Sequence, residues 1–176
     1  KINELSKEAS KYVVTNEFSS LLNSIGAKNI NASTGYDHTE YYSSFPANQI
    51  EKWLEIYSHA ISNPVFRMYQ AEHEVIKEEK NRSLSNHNRH FSSEVRAIYF
   101  KDNIYAKHDL IGDIEHIPFI TPRKLREYYE TYYVANNMAL FLSGDFKSEE
   151  IIPIIREKFS VFKNKPLPKR KEFKDR

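Results

Sequence analysis

Cysteine is absent from the 176 residues, which excludes disulfides and thiolate metal sites alike. Any transition-metal site has to draw on His, Asp or Glu. The missing thiols suit the cytoplasm and an oxidising compartment equally. A strong charge of one sign is also lacking: at +2 the chain is too near balance to argue for a nucleic-acid partner. No apolar run approaches the length of a membrane span, MALFLSG being the best and far too short. No signal peptide is recognisable, and the first residue is Lys1 rather than Met, so the chain reads as an excised or processed piece with an upstream signal left open. What is present is globular composition, 40% apolar and 14% aromatic, in a length that suits one domain with a real core.

The pattern along the chain alternates helical and extended segments. ELSKEASKYVVTNEFSSLLNSIG places Leu5, Ala9, Val13, Phe18, Leu21, Leu22 and Ile25 at helical spacing, with Gly26 as its C-terminal cap. AKNINAST and TEYYSSF, separated by Gly35 and Asp37, predict two strands joined by a tight connection. A helix follows Pro46 and carries Ile50, Trp53, Leu54, Tyr57 and Ile61 on one face; Asn63-Pro64 ends it. A third helix spans FRMYQAEHEVIKEEKNRSL, and a fourth amphipathic piece carries Phe91, Val95, Ile98 and Tyr99. Lys101 to Ile120 reads as an ordered loop. Thr121-Pro122 opens another helix, with Thr as N-cap and Pro at the first helical position. NNMALFLSGDF predicts a buried strand ending at Gly144, and Ser148 is the expected cap of a last helix. The fold class is therefore α+β: an antiparallel sheet covered by helices in two layers, with part of the sheet expected upstream of Lys1. Residues 1–162 form the expected domain, and the basic, proline-containing stretch 163–176 reads as a linker toward a second one.

The third helix holds the most informative pattern. Steps of three and four from Val65 pass through Met68, Glu72, Val75, Ile76 and Glu79, an apolar stripe interrupted by two carboxylates seven residues apart. Glu74, Lys77, Glu78 and Asn81 take the opposite, solvated face. Read as the inward face, this stripe would bury two charges, at a cost of several kcal/mol each unless something positive meets them. Three explanations remain open at this point: a metal ion, an Arg from elsewhere, or a helix rotated away from the core.

Three segments resemble the pitrilysin/insulinase family of zinc peptidases, which includes the mitochondrial processing peptidases. NASTGYDHTEYY resembles that family's strand-turn-strand. EHEVIKEE, from Glu72 to Glu79, resembles the helix bearing the third zinc ligand. YYVANNMALFLSGDF resembles the segment leading into the next core strand, although the family usually has Pro where this chain has Ala135. The resemblance runs from about Phe18 to Phe159, in the right order and spacing. The family's inverted motif HxxEH supplies two His ligands and a catalytic Glu. It is not found around any of His38, His59, His73, His87, His90, His108 or His116. In typical members it lies about 75 residues before the third ligand, so here it is expected at or before Lys1.

The resemblance implies a role for each matching residue. Glu79 is the implied zinc ligand, and Glu72 the carboxylate behind it that orients a ligand. Asn31, Ala32, Ser33 and Thr34 lie in the strand whose edge the family pairs with an extended substrate, Ala32 allowing close approach. His87 and His90, at i and i+3, read as a solvated helix start rather than a metal pair, and His73 is expected beside the glutamate stripe and exposed. The implied whole is a metalloendopeptidase that hydrolyses peptides or unfolded proteins by zinc-activated water. Zn2+ belongs to the complete protein and is not expected to stay on this chain alone, which should be inactive. A second homologous domain or subunit is the implied partner. The alternative is a non-catalytic family-like subunit that binds extended peptides or assembles with an active one. The compartment is left open, with an exported or periplasmic location set slightly above the cytoplasm.

Overall fold

A computed structural model of the chain describes residues 8, 11, 16–66, 68–101, 103–107 and 109–169. The expectations for Leu5, Ala9, Val13, His108 and the end of the basic tail lie outside these residues. The first described helix, α1 (Glu17–Ser24), ends where the sequence places a cap. Gly26 takes φ 81°, and the amides of Gly26 and Ala27 return to the carbonyls of Asn23 (2.9 Å) and Leu22 (3.0 Å). That paired closure satisfies carbonyls the helix end would otherwise leave open, and it needs the left-handed conformation glycine adopts without penalty.

The chain then forms the expected hairpin. Strand β1 (Lys28–Thr34) pairs antiparallel with β2 (Thr39–Ser44), Asn31 opposite Tyr42 and Thr34 opposite Thr39, with a register irregularity between Lys28 and Asn31. The connection closes through the Gly35 amide on the His38 carbonyl at 2.8 Å. After a helical turn at Ala47–Gln49, α2 (Ile50–Ser62) runs to the predicted Asn63-Pro64 break.

One core joins these pieces. Leu22 of α1, Ala27, and Trp53, Leu54 and Tyr57 of α2 pack with Ile151 of the last helix, α7 (Ser148–Lys158), while Ile30 and Phe45 approach from the hairpin. Burying these side chains is the main source of stability here. Trp53 is the pivot: it stacks on Phe45 with ring centroids 4.8 Å apart, lies 4.2 Å from Tyr57, and donates from Nε1 to Ser43 Oγ at 2.8 Å.

The remaining helices lie outside that core. They are α3 (Tyr69–Leu84), α4 (His87–Phe100), the short α5 (Ile104–Lys107) and α6 (Pro122–Tyr132). Two have side-chain N-caps: Asn86 accepts from the amides of Asn88 and Arg89, and Thr121, as its sequence context predicts, from the amide of Lys124. The C-terminal end of α6 meets the hairpin through Tyr133, the residue after the helix, whose hydroxyl lies 2.8 Å from that of Tyr41.

Three expectations are corrected. Residues 138–143 form no strand among the described residues, and Phe141 is 89% exposed. A strand exists through its ladder, and β1 and β2 pair only with each other. Leu142 alone of that run reaches the core. Ser148 is the first residue of α7 rather than its cap; Lys147 takes that place without a side-chain capping bond. The loop 101–120 contains α5 and a helical turn at Ile117–Phe119. The tail begins tied to the body, with Asn136 exchanging two 3.0 Å bonds with the backbone of Lys165.

Candidate functional site

α3 advances about 100° per residue, so residues 68, 72, 75 and 79 form one row and 69, 73, 76 and 80 the next. The structure turns Tyr69, His73 and Lys80 of the second row toward protein, while Ile76 of that row stays 40% exposed. His73 is 9% exposed and Lys80 6%. His73 Nε2 lies 2.8 Å from the carbonyl oxygen of Ile117, Lys80 Nζ donates to Asp109 Oδ2 at 3.2 Å, and the Tyr69 hydroxyl donates to the Ile120 carbonyl. All three partners belong to the segment 109–120, which lies along the helix as a strap.

The stripe carrying Glu72 and Glu79 is accordingly not inward. Both glutamates are exposed, as are Val75 (52%), Ile76 (40%) and Met68 (39%). This corrects the inward reading, and the physical reason is local: periodicity marked an apolar row, while the strap's polar partners selected the adjacent row for burial. Neither Glu72 nor Glu79 makes a side-chain hydrogen bond or ion pair among the described residues, so the structural Arg partner considered above is not found there. His73, expected to be exposed, is buried. The solvated face behaves as expected: Glu78 is exposed, and the Lys77 ammonium, 3.0 Å from Glu74, holds that carboxyl below its ordinary range. His87 and His90 are both exposed.

In the hairpin, Tyr41 and Ser43 point to the helices through their bonds to Tyr133 and Trp53. Alternation therefore sends Asn31, Ser33, Glu40 and Tyr42 to the other face, where Ser33 Oγ donates to Glu40 at 3.4 Å. Asn31 to Thr34 are all exposed, and the edge of β1 away from β2 carries no strand among the described residues. Such an edge presents unpaired amide and carbonyl groups to any extended chain. A cavity of about 300 Å³ opens between Ser43, Ser44 and Phe45 and the segment 142–146; Asp145 is its one ionisable lining residue.

Comparison with known proteins decides what these elements belong to. The family profile described as Insulinase (Peptidase family M16) matches residues 3–110, more than half of the chain. The chain belongs to the insulinase family of peptidases. A second profile, Peptidase M16 inactive domain, matches residues 120–176. Among relatives, an uncharacterized zinc protease of Bacillus subtilis, YmfH, is 31% identical over 82% of this chain and 34% of its own length. The beta subunit of the mitochondrial-processing peptidase of Dictyostelium discoideum is 21% identical over 80% of this chain and 30% of its own. The crystal structure of the periplasmic protease PqqL from Escherichia coli superposes with a TM-score of 0.77 at 26% identity, covering 88% of this chain and 18% of that one. The fold is thus that of insulinase-family peptidases, and the chain spans about a third or less of the relatives named.

Membership of this family, with relatives named zinc proteases, implies zinc. The described residues fit one ligand's share of such a site. Glu79 offers a hard oxygen donor with no partner among the described residues, and Glu72 stands two turns away on the same row. They do not complete it: no group of three His, Asp or Glu that could hold a metal occurs among the described residues. Of the buried pair, His73 is expected from the sequence to be exposed and Lys80 is given no role there, although the two repeat the seven-residue spacing of the glutamates one position on.

Proposed function

We propose that this chain is part of a zinc-dependent metalloendopeptidase, to which it contributes the ligand Glu79, its supporting carboxylate Glu72, and the strand edge Asn31–Thr34 that holds an extended peptide. The observation that carries this is the exposed row of α3, where two carboxylates without partners among the described residues stand at the spacing of the family's ligand helix. Zinc-activated water attacking a peptide bond is the reaction of the complete protein. Its two His ligands and general base are not among these 176 residues as HxxEH, so the chain alone is expected to be inactive and to hold zinc poorly, since one carboxylate cannot retain the ion. Residues 1–162 act as one domain and 163–176 as the connector to a homologous half that closes on the substrate. An exported location is slightly favoured, because PqqL is a periplasmic protease.

A second reading, a non-catalytic subunit that presents peptides, rests on the missing HxxEH. Glu79→Gln in the full-length protein separates the two. Its exposure makes a folding cost above about 0.5 kcal/mol unexpected. Loss of stoichiometric zinc together with proteolysis supports the ligand role; full zinc content and undiminished activity refute it.

A further inference from the structure

Each glutamate on the exposed row of α3 is followed directly by a buried polar residue, Glu72 by His73 and Glu79 by Lys80. Both buried residues grip one strap. The grip is specific in its geometry. Asp109 accepts from Lys80 Nζ through Oδ2 at 3.2 Å and from the Leu110 amide through Oδ1 at 2.9 Å, so both carboxylate oxygens are engaged and the carboxylate plane is set. Ile117, whose carbonyl meets His73, is itself 1% exposed, which anchors that end of the strap in protein. Gly112 turns the strap between these points, its amide on the Asp109 carbonyl at 2.9 Å.

We propose that Lys80 and His73 are positioning residues, which clamp α3 to the 109–120 strap and so set the direction in which the Glu79 carboxylate points. The inference rests on the reading of Glu79 as a metal ligand. Its physical basis is the rotational setting of a helix. The row bearing the carboxylates has exposed apolar neighbours, Met68 and Val75, whereas one step round the helix a buried ammonium cannot leave Asp109 without standing uncompensated in protein. Because the clamped and ligating positions are adjacent on one backbone, a turn of α3 that releases Lys80 also swings Glu79. Outer partners of metal ligands act through orientation in this way, and their loss typically costs about 10- to 100-fold in metal affinity.

The test uses the full-length protein with Lys80→Met, Asp109→Asn and Lys80→Arg, reading zinc affinity by competition with a chromophoric chelator and the visible spectrum after cobalt substitution. Lys80→Met and Asp109→Asn are expected to lower affinity by about 10- to 100-fold and to alter the cobalt bands, with Lys80→Arg restoring most of the loss. Asp109 is partly exposed, so Asp109→Asn remains informative if Lys80→Met fails to fold. Wild-type affinity in Asp109→Asn overturns the proposal, as does a loss in Lys80→Arg as large as in Lys80→Met, which would assign the effect to packing. Glu79→Gln run alongside keeps the two failures apart: zinc lost there but retained in the clamp variants defeats the clamp alone, whereas zinc retained in Glu79→Gln defeats the ligand reading beneath it.

Discussion

Ser43 is expected to matter more than its size suggests. It lies in β2, and its hydroxyl is the meeting point of hairpin and core, taking the hydrogen bond of Trp53 Nε1 at 2.8 Å and sharing one with the Tyr57 hydroxyl at 3.1 Å. Trp53 and Tyr57 are only 5% and 4% exposed. Ser43→Ala removes one small group and leaves two buried polar groups without this partner. The indole N–H, whose hydrogen-bond partner among the described residues is Ser43 alone, should cost about 1–2 kcal/mol, and the phenol about 1 kcal/mol more. Ser43 is only half-buried and water can reach its place in part, so a total near 2 kcal/mol is expected. The assay is urea unfolding followed by the fluorescence of Trp53, the one tryptophan of the chain. A second readout checks the cause. Burial raises the Tyr57 pKa and the Ser43 hydrogen bond lowers it, so the variant should move that pKa further up in an ultraviolet titration. A stability change below about 0.5 kcal/mol with an unmoved Tyr57 would refute the reasoning.

Other outcomes follow from particular groups. The Tyr129 hydroxyl is buried with no hydrogen-bond partner among the described residues, so Tyr129→Phe should stabilise the fold by about 1 kcal/mol in the same urea assay. Burial also pushes the Tyr129 pKa up to about 12 from its ordinary value of 10.0. A raised pKa favours the neutral phenol in the folded state, so its contribution is fully present below pH 10 and is lost as pH climbs toward 12. Alkaline unfolding should fall in that window, and Tyr129→Phe should blunt it. Gly26→Ala forces a side chain onto φ 81° and sets its Cβ 3.3 Å from Pro46 Cγ; a cost of about 1–2 kcal/mol is expected by thermal or urea unfolding.

What was legible in the sequence is what neighbours in sequence decide. The Gly26 closure, the hairpin around Gly35, the Thr121 cap and the Asn63-Pro64 break each depend on a few adjacent residues, and all appear in the structure. The apolar face of α2 was readable for the same reason, since Trp53, Leu54 and Tyr57 satisfy both periodicity and burial. The absence of a strand at 138–143 was not, because a strand's partner is remote in sequence and that run has none among the described residues. The burial of His73 and Lys80 was hidden too: each needs a partner 44 or 29 residues away, and polar residues on a helix are ordinarily solvated.

The sequence by itself determined that two glutamates stand seven residues apart on one row of a helix, because the helical repeat is a local property of the backbone. It also determined the resemblance that implies unequal roles for them. Only the tertiary structure decided which row of that helix is packed and which is open. The reason is energetic: apolar periodicity names a face that gains from burial, but a buried ammonium and a buried imidazole with fixed partners dictate the rotation more strictly than a few exposed aliphatic side chains can.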